Sequence, residues 1–461
     1  MQIASAGNWI PARNELGMSP RAASRMGGWG KLAMFLVCGY SLFGRTFAYI
    51  GIPSAKIFIG DVVLLLFLVA CTGAVSGPWL RGLLRRTPYS AFLWSMLLFL
   101  CWGVVELVRG IALGYSMLTA LQNLVFNVYP LYFFLGLWAA FTVPDLLSKT
   151  VRTVVWMSCL YGLIYFPLLK QIPLFKLPFV DVELFGPPGG AGMAILGLSY
   201  LEKDLRRWWL PLSFSIFLIL AGQVRSGWLA TIAIVALLSI LEGRFRRFVW
   251  GAGFVAALLL IGFWTDFDIP SPAGRGGSVS SRELVARAVA SVDRDAAREY
   301  SSNADMYAGT VSWRQNWWNA IWASVHDDVE TAALGHGYGF ELHSLARYVP
   351  HDVRTPHSVF FYALGYTGWV GVVLFAAFQT SLGVLLWRCW LWNRDPFGLA
   401  LWLSSLISGS LGNYFETPFG AIPYYLLTGM AAAALLCKPA HTAEELPLNP
   451  YIARANPVIG Y

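Results

Sequence analysis

Apolar runs of about twenty residues, each long enough to cross the hydrocarbon core of a bilayer as a helix, follow one another along most of this 461-residue chain. Twelve are legible, at 32–52, 57–75, 88–108, 121–141, 151–169, 184–201, 208–223, 226–242, 248–264, 357–387, 397–414 and 419–437. The seventh and eighth are nearly continuous, parted only by a tight turn around Arg225. Between the ninth and tenth the pattern stops, and residues 265–356 are mostly polar. No segment outside the runs alternates as a strand would, so no separate soluble domain is expected. The pattern predicts an all-α polytopic membrane protein of about twelve transmembrane helices with one large helical loop.

Charge decides which way these helices run, because cytoplasmic loops carry an excess of Lys and Arg. Placing the N-terminus in the cytoplasm, with Arg13, Arg21, Arg25 and Lys31, makes alternate loops basic. These carry Arg81/Arg85/Arg86, Lys149/Arg152, Lys203/Arg206/Arg207, Arg244/Arg246/Arg247 and Arg388/Arg394, with Lys438 and Arg454 in the tail. Together they hold 19 of the 33 basic residues, whereas the short loops on the other side hold six: Arg45, Lys56, Arg109, Lys170, Lys176 and Arg225. The expected organisation is a cytoplasmic N-terminal segment (1–31), helices one to nine (32–264), a periplasmic loop (265–356), helices ten to twelve (357–437) and a Pro/Asn-rich, disordered cytoplasmic tail (438–461). That arrangement puts membrane lipids around the chain and any active site on the outer face.

Only 13% of the residues are charged, against roughly a quarter in a soluble domain. The net charge of +8 is therefore mostly a topology signal, and no nucleic-acid partner is expected. The large loop carries eight arginines, no lysine and twelve acids, a formal charge of −4. An anion bound there must be held by particular arginines and not by a general basic field. All six cysteines lie in or at the ends of the apolar runs, with no CxxC pair and no zinc spacing, so no disulfide is expected in the loop. The first 31 residues lack the short apolar core and cleavage site of a secretory signal.

Two helices are expected in the loop. Ser280-Ser281-Arg282-Glu283 has the spacing of a capping box, followed by a modest apolar stripe through Leu284, Ala288 and Ser291 with Val285, Val289 and Val292. A second box, Ser312 to Gln315, opens a helix bearing Trp313, Trp317, Trp318 and Trp322. Four tryptophans are too many to bury in so small a loop, and Trp favours the headgroup level. The expectation is a helix lying on the outer leaflet, with stacking on sugar rings as the alternative. Gly335-His336-Gly337-Tyr338-Gly339 is a glycine-rich turn. It serves either left-handed backbone alone or the approach of backbone N–H groups to a phosphate, and Tyr338 within it is a candidate binding residue.

Polar features converge on the outer side. Arg225 stands in the turn between two runs, Arg314 near the start of the Trp-rich helix, His357 where the loop re-enters the membrane, and Glu416 after the eleventh run. Arg45 and Asp61 lie on the same side, and Gly186-Pro187-Pro188-Gly189-Gly190 breaks the start of the sixth run. Each has a plainer reading. His357 could be an interfacial hydrogen-bonding residue, Arg225 a topology residue, Arg314 a cation stacked on tryptophan, and Glu416 or Asp61 a structural ion-pair partner. The spacing of His336, His343, His351 and His357 fits no compact metal-ligand pattern.

In these positions the chain resembles the O-antigen ligase and polysaccharide polymerase superfamily of polytopic glycosyltransferases. The ligase pattern of His, then Asn, Ser or Gln, nine residues, Gly, two residues and Gly is met by His357-Ser358, Gly368 and Gly371. An Arg-x-x-x-Leu pattern is met by Arg225 to Leu229, and an Arg before an aromatic helix and a Gly-x-Gly turn by Arg314 and Gly335-His336-Gly337. The resemblance runs from about the second to the twelfth run. It departs at Pro187-Pro188-Gly189, where the family often has Pro-Asn. It implies transfer of a glycan from an undecaprenyl diphosphate donor to an acceptor hydroxyl, the acceptor being the lipid A core oligosaccharide in a ligase, with no metal and no nucleotide cofactor. His357 is then the catalytic base, and Arg225, Arg314, Tyr338, Glu416 and Arg45 bind substrate.

Histidine suits the base because its ordinary pKa lies near working pH, and arginines suit a diphosphate leaving group because their planar forks bind phosphate in pairs of hydrogen bonds. A chain polymerase for O-antigen or exopolysaccharide, acting on a growing glycan, is the nearest alternative, followed by a protein O-glycosylating relative. A transporter is disfavoured by the absence of a half-to-half repeat, of an acidic relay within the runs and of a symmetric loop arrangement.

Overall fold

A computed structural model describes residues 27–52, 57–71, 87–143, 145–165, 191–201, 205–222, 224–243, 245–270, 278–346, 353 and 355–437. The expected break at 186–190, His351, the tail expected to be disordered (438–461) and most of the N-terminal segment lie outside them.

Where its residues are described, each of the twelve apolar runs contains helix. In chain order these are α1 (Gly27–Phe43) with the short α2 (Arg45–Ala48), α3 (Ile59–Cys71), α4 (Thr87–Ala112), α5 (Met117–Val128) continued through a 3-10 turn into α6 (Tyr132–Thr142), and α7 (Leu146–Tyr165). Then follow α8 (Ala191–Leu201), α9 (Leu205–Gly222), α10 (Arg225–Leu241) and α11 (Phe245–Trp264). The loop contributes α12 (Ser281–Val289), α13 (Arg294–Arg298), α14 (Ala304–Val325) and α15 (Val329–Leu334). The chain then closes with α16 (Val359–Asn393), α17 (Phe397–Leu411) and α18 (Pro418–Ala432). Strand is limited, among the described residues, to two small antiparallel pairs, 51–52 with 57–58 and 268–270 with 278–280. The molecule is an all-α polytopic membrane protein, and four of its described helical segments are long and apolar enough to cross a bilayer unaided.

Packing is tightest where small residues let backbones meet. At the centre α6 lies against α18, and a methyl on Gly136 would stand 2.0 Å from the Leu426 carbonyl oxygen. Such contacts bind membrane helices by dispersion, since lipid is as apolar as leucine. Further pairs are α4 with α16 and α10 with α17. The last pair brings the start of α10, at Arg225, beside the end of α17. Helix α11 faces outward: Trp250 is 71% exposed and Leu260 62%, as expected of a lipid-facing surface.

The loop is anchored to the bundle more deeply than its sequence suggests. Ser280 caps α12 as expected, its Oγ accepting from the Glu283 N–H at 3.1 Å. The buried face of α12 is Ala286, Arg287 and Ala290, however, and Val292 of the expected stripe is 94% exposed. The second helix starts earlier than the Ser312 box, at Ala304 after Asn303. Ser312 is mid-helix, its hydroxyl returned to the Ala308 carbonyl, which is how a serine inside a helix satisfies itself. Nor does α14 lie on the leaflet as a whole. Trp317, Ile321 and Val325 are fully buried in the main core, and the N–H groups of Trp317 and Trp318 donate to the carbonyls of Leu342 at 2.8 Å and Pro356 at 2.6 Å. Only Trp322 among the four tryptophans is exposed. The helix meets α16, and that partner was not visible in the periodicity of α14 itself.

Helix α16 is broken at Gly368, which has φ +60°. An unbroken helix would give the carbonyls of Gly365 and Tyr366 the N–H groups four residues on. Here they accept instead from the loop, from His336 N–H and Gly337 N–H, both at 2.9 Å. The two backbones touch: a methyl on Gly368 would come within 2.3 Å of the Ala333 oxygen, and one on Gly335 (φ +69°) within 2.6 Å of the Gly368 nitrogen. Both positions therefore demand glycine for conformation and for space. Gly368→Ala is expected to destabilise the protein by at least about 1–3 kcal/mol, the cost of a left-handed non-glycine residue, with the steric overlap in addition. A melting temperature in detergent indistinguishable from that of the parent protein would contradict this account.

Candidate active site

His357 occupies the junction between loop and α16. Its backbone is left-handed, φ +55°, a region sparsely used by residues other than glycine. The strain is held by its neighbours. Pro356 is buried and its carbonyl takes the Trp318 indole N–H. Trp318 in turn stacks on Phe361 of α16. The imidazole meets the Trp313 ring edge-on, with centroids 5.5 Å apart.

Trp313 also links His357 to the arginines. The Arg314 guanidinium lies 5.5 Å from the Trp313 ring centroid, and Arg314 Nη1 points to the Leu411 carbonyl at the end of α17, 3.5 Å away. Arg225, the first residue of α10, donates through Nη1 to Ser291 Oγ at 2.8 Å and through Nη2 to the Tyr307 carbonyl at 3.0 Å. Its charge is repelled by those of Arg287 and Arg314. Three cations from α10, α12 and α14 thus gather beside the end of α17.

Arg287 and its partners form a group that sequence reading passed over. The side chain is buried, with its guanidinium 4.0 Å from the Tyr307 ring centroid and Nη2 donating to Tyr307 Oη at 3.2 Å. The Tyr307 hydroxyl donates to the Glu283 carboxylate, and Glu283 also accepts from Ser301 Oγ at 2.6 Å and Asn303 Nδ2 at 3.2 Å. Burial and the Glu283 carboxylate push the Tyr307 phenol up to about 12. This network fixes Tyr307, whose carbonyl orients Arg225. Its one sequence signal was Arg287 standing four residues after Glu283 in α12.

Glu416 is 7% exposed, in the turn between α17 and α18. Its Oε2 accepts from the Tyr414 N–H at 3.2 Å, and burial pushes its carboxyl up to about 7. The turn stays close to the arginines because it follows directly on Leu411. Tyr338 and Arg45 stand elsewhere. Tyr338 is fully buried, with its hydroxyl on Asn127 of α5. Arg45 is exposed on α2, 5.6 Å from the Tyr49 ring centroid. No contact among the described residues ties either one to His357 or Arg225.

The glycine-rich turn is a docking element. Beyond the two N–H groups given to α16, Tyr338 N–H donates to the Glu106 carbonyl at 3.4 Å and Gly339 N–H to Asn123 Oδ1 at 3.0 Å. Four successive donors are thus committed within the protein, which leaves no nest for a phosphate. Arg109 locks the same turn from α4: its Nη1 reaches the carbonyls of Leu334 and Gly335 at 3.2 and 2.9 Å and the Glu106 carboxylate at 3.2 Å. His336 stacks on Phe340 with Nε2 3.0 Å from Ser324 Oγ. Burial, then the charge of Arg109, lowers its pKa.

The family model described as O-antigen ligase matches residues 210–376. The matched stretch contains Arg225, Arg287, Arg314, the glycine-rich turn, His357, Gly368 and Gly371, whereas Glu416 and Arg45 lie outside it. No curated protein matches the chain. The match supports a function of the O-antigen ligase or polymerase type, with lipid-linked glycans as the substrate class.

Proposed function

Since the O-antigen ligase family model matches residues 210–376, we propose that the chain is an O-antigen ligase of the bacterial inner membrane, transferring a glycan from undecaprenyl diphosphate to the lipid A core oligosaccharide at the periplasmic face. One observation carries the reading of the site: His357 and the Arg314 guanidinium both engage Trp313, and Arg314 acts electrostatically on Arg225. A histidine and an arginine cluster at one membrane re-entry point supply what metal-free glycosyl transfer requires.

His357 takes the proton from the acceptor hydroxyl as its oxygen attacks the anomeric carbon of the donor glycan. The bond from that carbon to the diphosphate oxygen breaks, and undecaprenyl diphosphate leaves with the electron pair. Arg225 and Arg314 stabilise the negative charge that develops on it. The other substrate, a glycan-bearing lipid, reaches the site sideways from the membrane, past the exposed edge of α14 at Trp322.

The acceptor decides between ligase and polymerase. In a strain lacking this protein, ligase loss is expected to leave bare lipid A core while long glycan accumulates on the lipid carrier. Core capped with a single repeat unit would identify a polymerase instead. Sidedness is tested separately in a background without the six native cysteines. Tyr300→Cys is expected to react with an impermeant maleimide in intact spheroplasts, and Leu84→Cys and Phe245→Cys only after lysis. Reaction of all three before lysis would invalidate the topology.

A further inference from the structure

The turn after α17 holds two buried acceptors that the described residues leave without donors. Glu416 Oε1 has no hydrogen-bond partner among them, and neither has Asn413 Oδ1, although both atoms are shielded from solvent. Leaving a buried polar group unsatisfied costs about 1–3 kcal/mol, and native proteins keep few such groups without a use for them. Two in one turn, separated by two residues, therefore point to a ligand that brings donors.

The position of the turn restricts what that ligand is. Arg314 reaches the Leu411 carbonyl two residues before Asn413. A methyl built on Gly412 would stand 3.8 Å from Ser226 Oγ, on the residue next to Arg225. The Glu416 carboxylate acts electrostatically on Tyr362, in the second turn of α16 after His357. The two acceptors thus lie at the margin of the arginine cluster, towards α16. A diphosphate offers acceptors only and cannot satisfy them. A sugar ring offers hydroxyl donors, and an acetamido sugar adds an amide N–H.

We propose that the Asn413–Glu416 turn binds the first sugar of the donor, the one attached directly to the diphosphate, by accepting hydrogen bonds from its hydroxyl or amide groups. The proposal rests on the reading of Arg225 and Arg314 as the diphosphate site. It makes this turn a determinant of which donor is accepted, because a sugar unable to donate to both acceptors leaves them buried and unpaired, a strong basis for rejection.

The test compares two probes on the full-length purified protein: undecaprenyl diphosphate, and the same lipid carrying one N-acetylglucosamine. The parent protein is expected to bind the sugar-bearing probe more tightly. Glu416→Gln keeps the shape of the side chain and an acceptor for the Tyr414 N–H, but turns an amide donor towards the ligand. It is expected to lose about tenfold in affinity for the sugar-bearing probe, the typical worth of one buried hydrogen bond to a charged or polar group, and to bind the bare diphosphate lipid within about twofold of the parent. Asn413→Ala, with a melting profile checked against the parent, is expected to show the same asymmetry. Equal losses on both probes, unchanged binding of both, or a parent protein indifferent to the sugar would overturn the proposal. A parent protein that fails to bind bare undecaprenyl diphosphate would instead overturn the diphosphate reading itself, and the sugar site with it.

Discussion

Purified His357→Ala protein is expected to transfer glycan about 10²–10⁴-fold more slowly than the parent, the usual contribution of a positioned base, while still binding the lipid-linked donor. The expectation rests on how the imidazole is held. A left-handed residue (φ +55°) keeps its conformation only when the surroundings enforce it. Here Pro356 is pinned by Trp318, Trp318 is stacked on Phe361, and the ring abuts Trp313. The side chain is thus oriented by packing and needs no substrate to order it. His357→Gln should recover little activity, because glutamine fills similar space without a basic nitrogen. Transfer by the parent protein should survive EDTA. An alanine variant retaining parental rates, or transfer abolished by the chelator, would remove His357 from the role of base.

Removing either Arg225 or Arg314 should cost on the order of 2–4 kcal/mol of transition-state stabilisation, the range for one lost donor to developing charge. Lysine should rescue poorly at position 225. Arg225 already commits Nη1 to Ser291 Oγ and Nη2 to the Tyr307 carbonyl, and a single ammonium cannot hold that fork. The cost is amplified by the site's own electrostatics. The Arg225 charge is repelled by those of Arg287 and Arg314, and a bound diphosphate would offset that repulsion. Substituting one arginine should therefore weaken bare undecaprenyl diphosphate as well as the full donor, unlike the changes at the Asn413–Glu416 turn. The measurement is kcat and KM of purified Arg225→Ala, Arg225→Lys and Arg314→Ala; parental kcat/KM in the alanine variants would refute the assignment.

Several of these features were legible in the chain and others were not, for identifiable reasons. The all-α polytopic character followed from run length because bilayer thickness sets a single scale. Ser280 was legible as a cap because capping is local. Ser312 misled because an identical pattern of four residues inside a helix already under way has the carbonyl of Ala308 to bond with. Trp317 looked like an interfacial residue because its burial depends on α16, forty residues on in sequence. The glycine-rich turn carried a true demand for left-handed backbone, but sequence could not say where its N–H groups go. Arg287 lay hidden as an ordinary helical arginine. Arg109 and Glu106 carried the clearest signal that was passed over: opposite charges three apart at the end of an apolar run, expensive in a membrane unless engaged.

The break at Gly368 imposes an order of events on the growing chain. The carbonyls freed in α16 are satisfied by residues 336 and 337, and the turn that carries them is clamped just before, at the carbonyls of Leu334 and Gly335, by Arg109 on α4, more than two hundred positions earlier. During synthesis α4 is made first and the loop after it, and only a loop docked against α4 can complete α16. Until it does, α16 enters the membrane with unpaired backbone groups, a state hydrocarbon does not tolerate. Completion of α16 is in effect conditional: the helix settles only when the loop has docked against it.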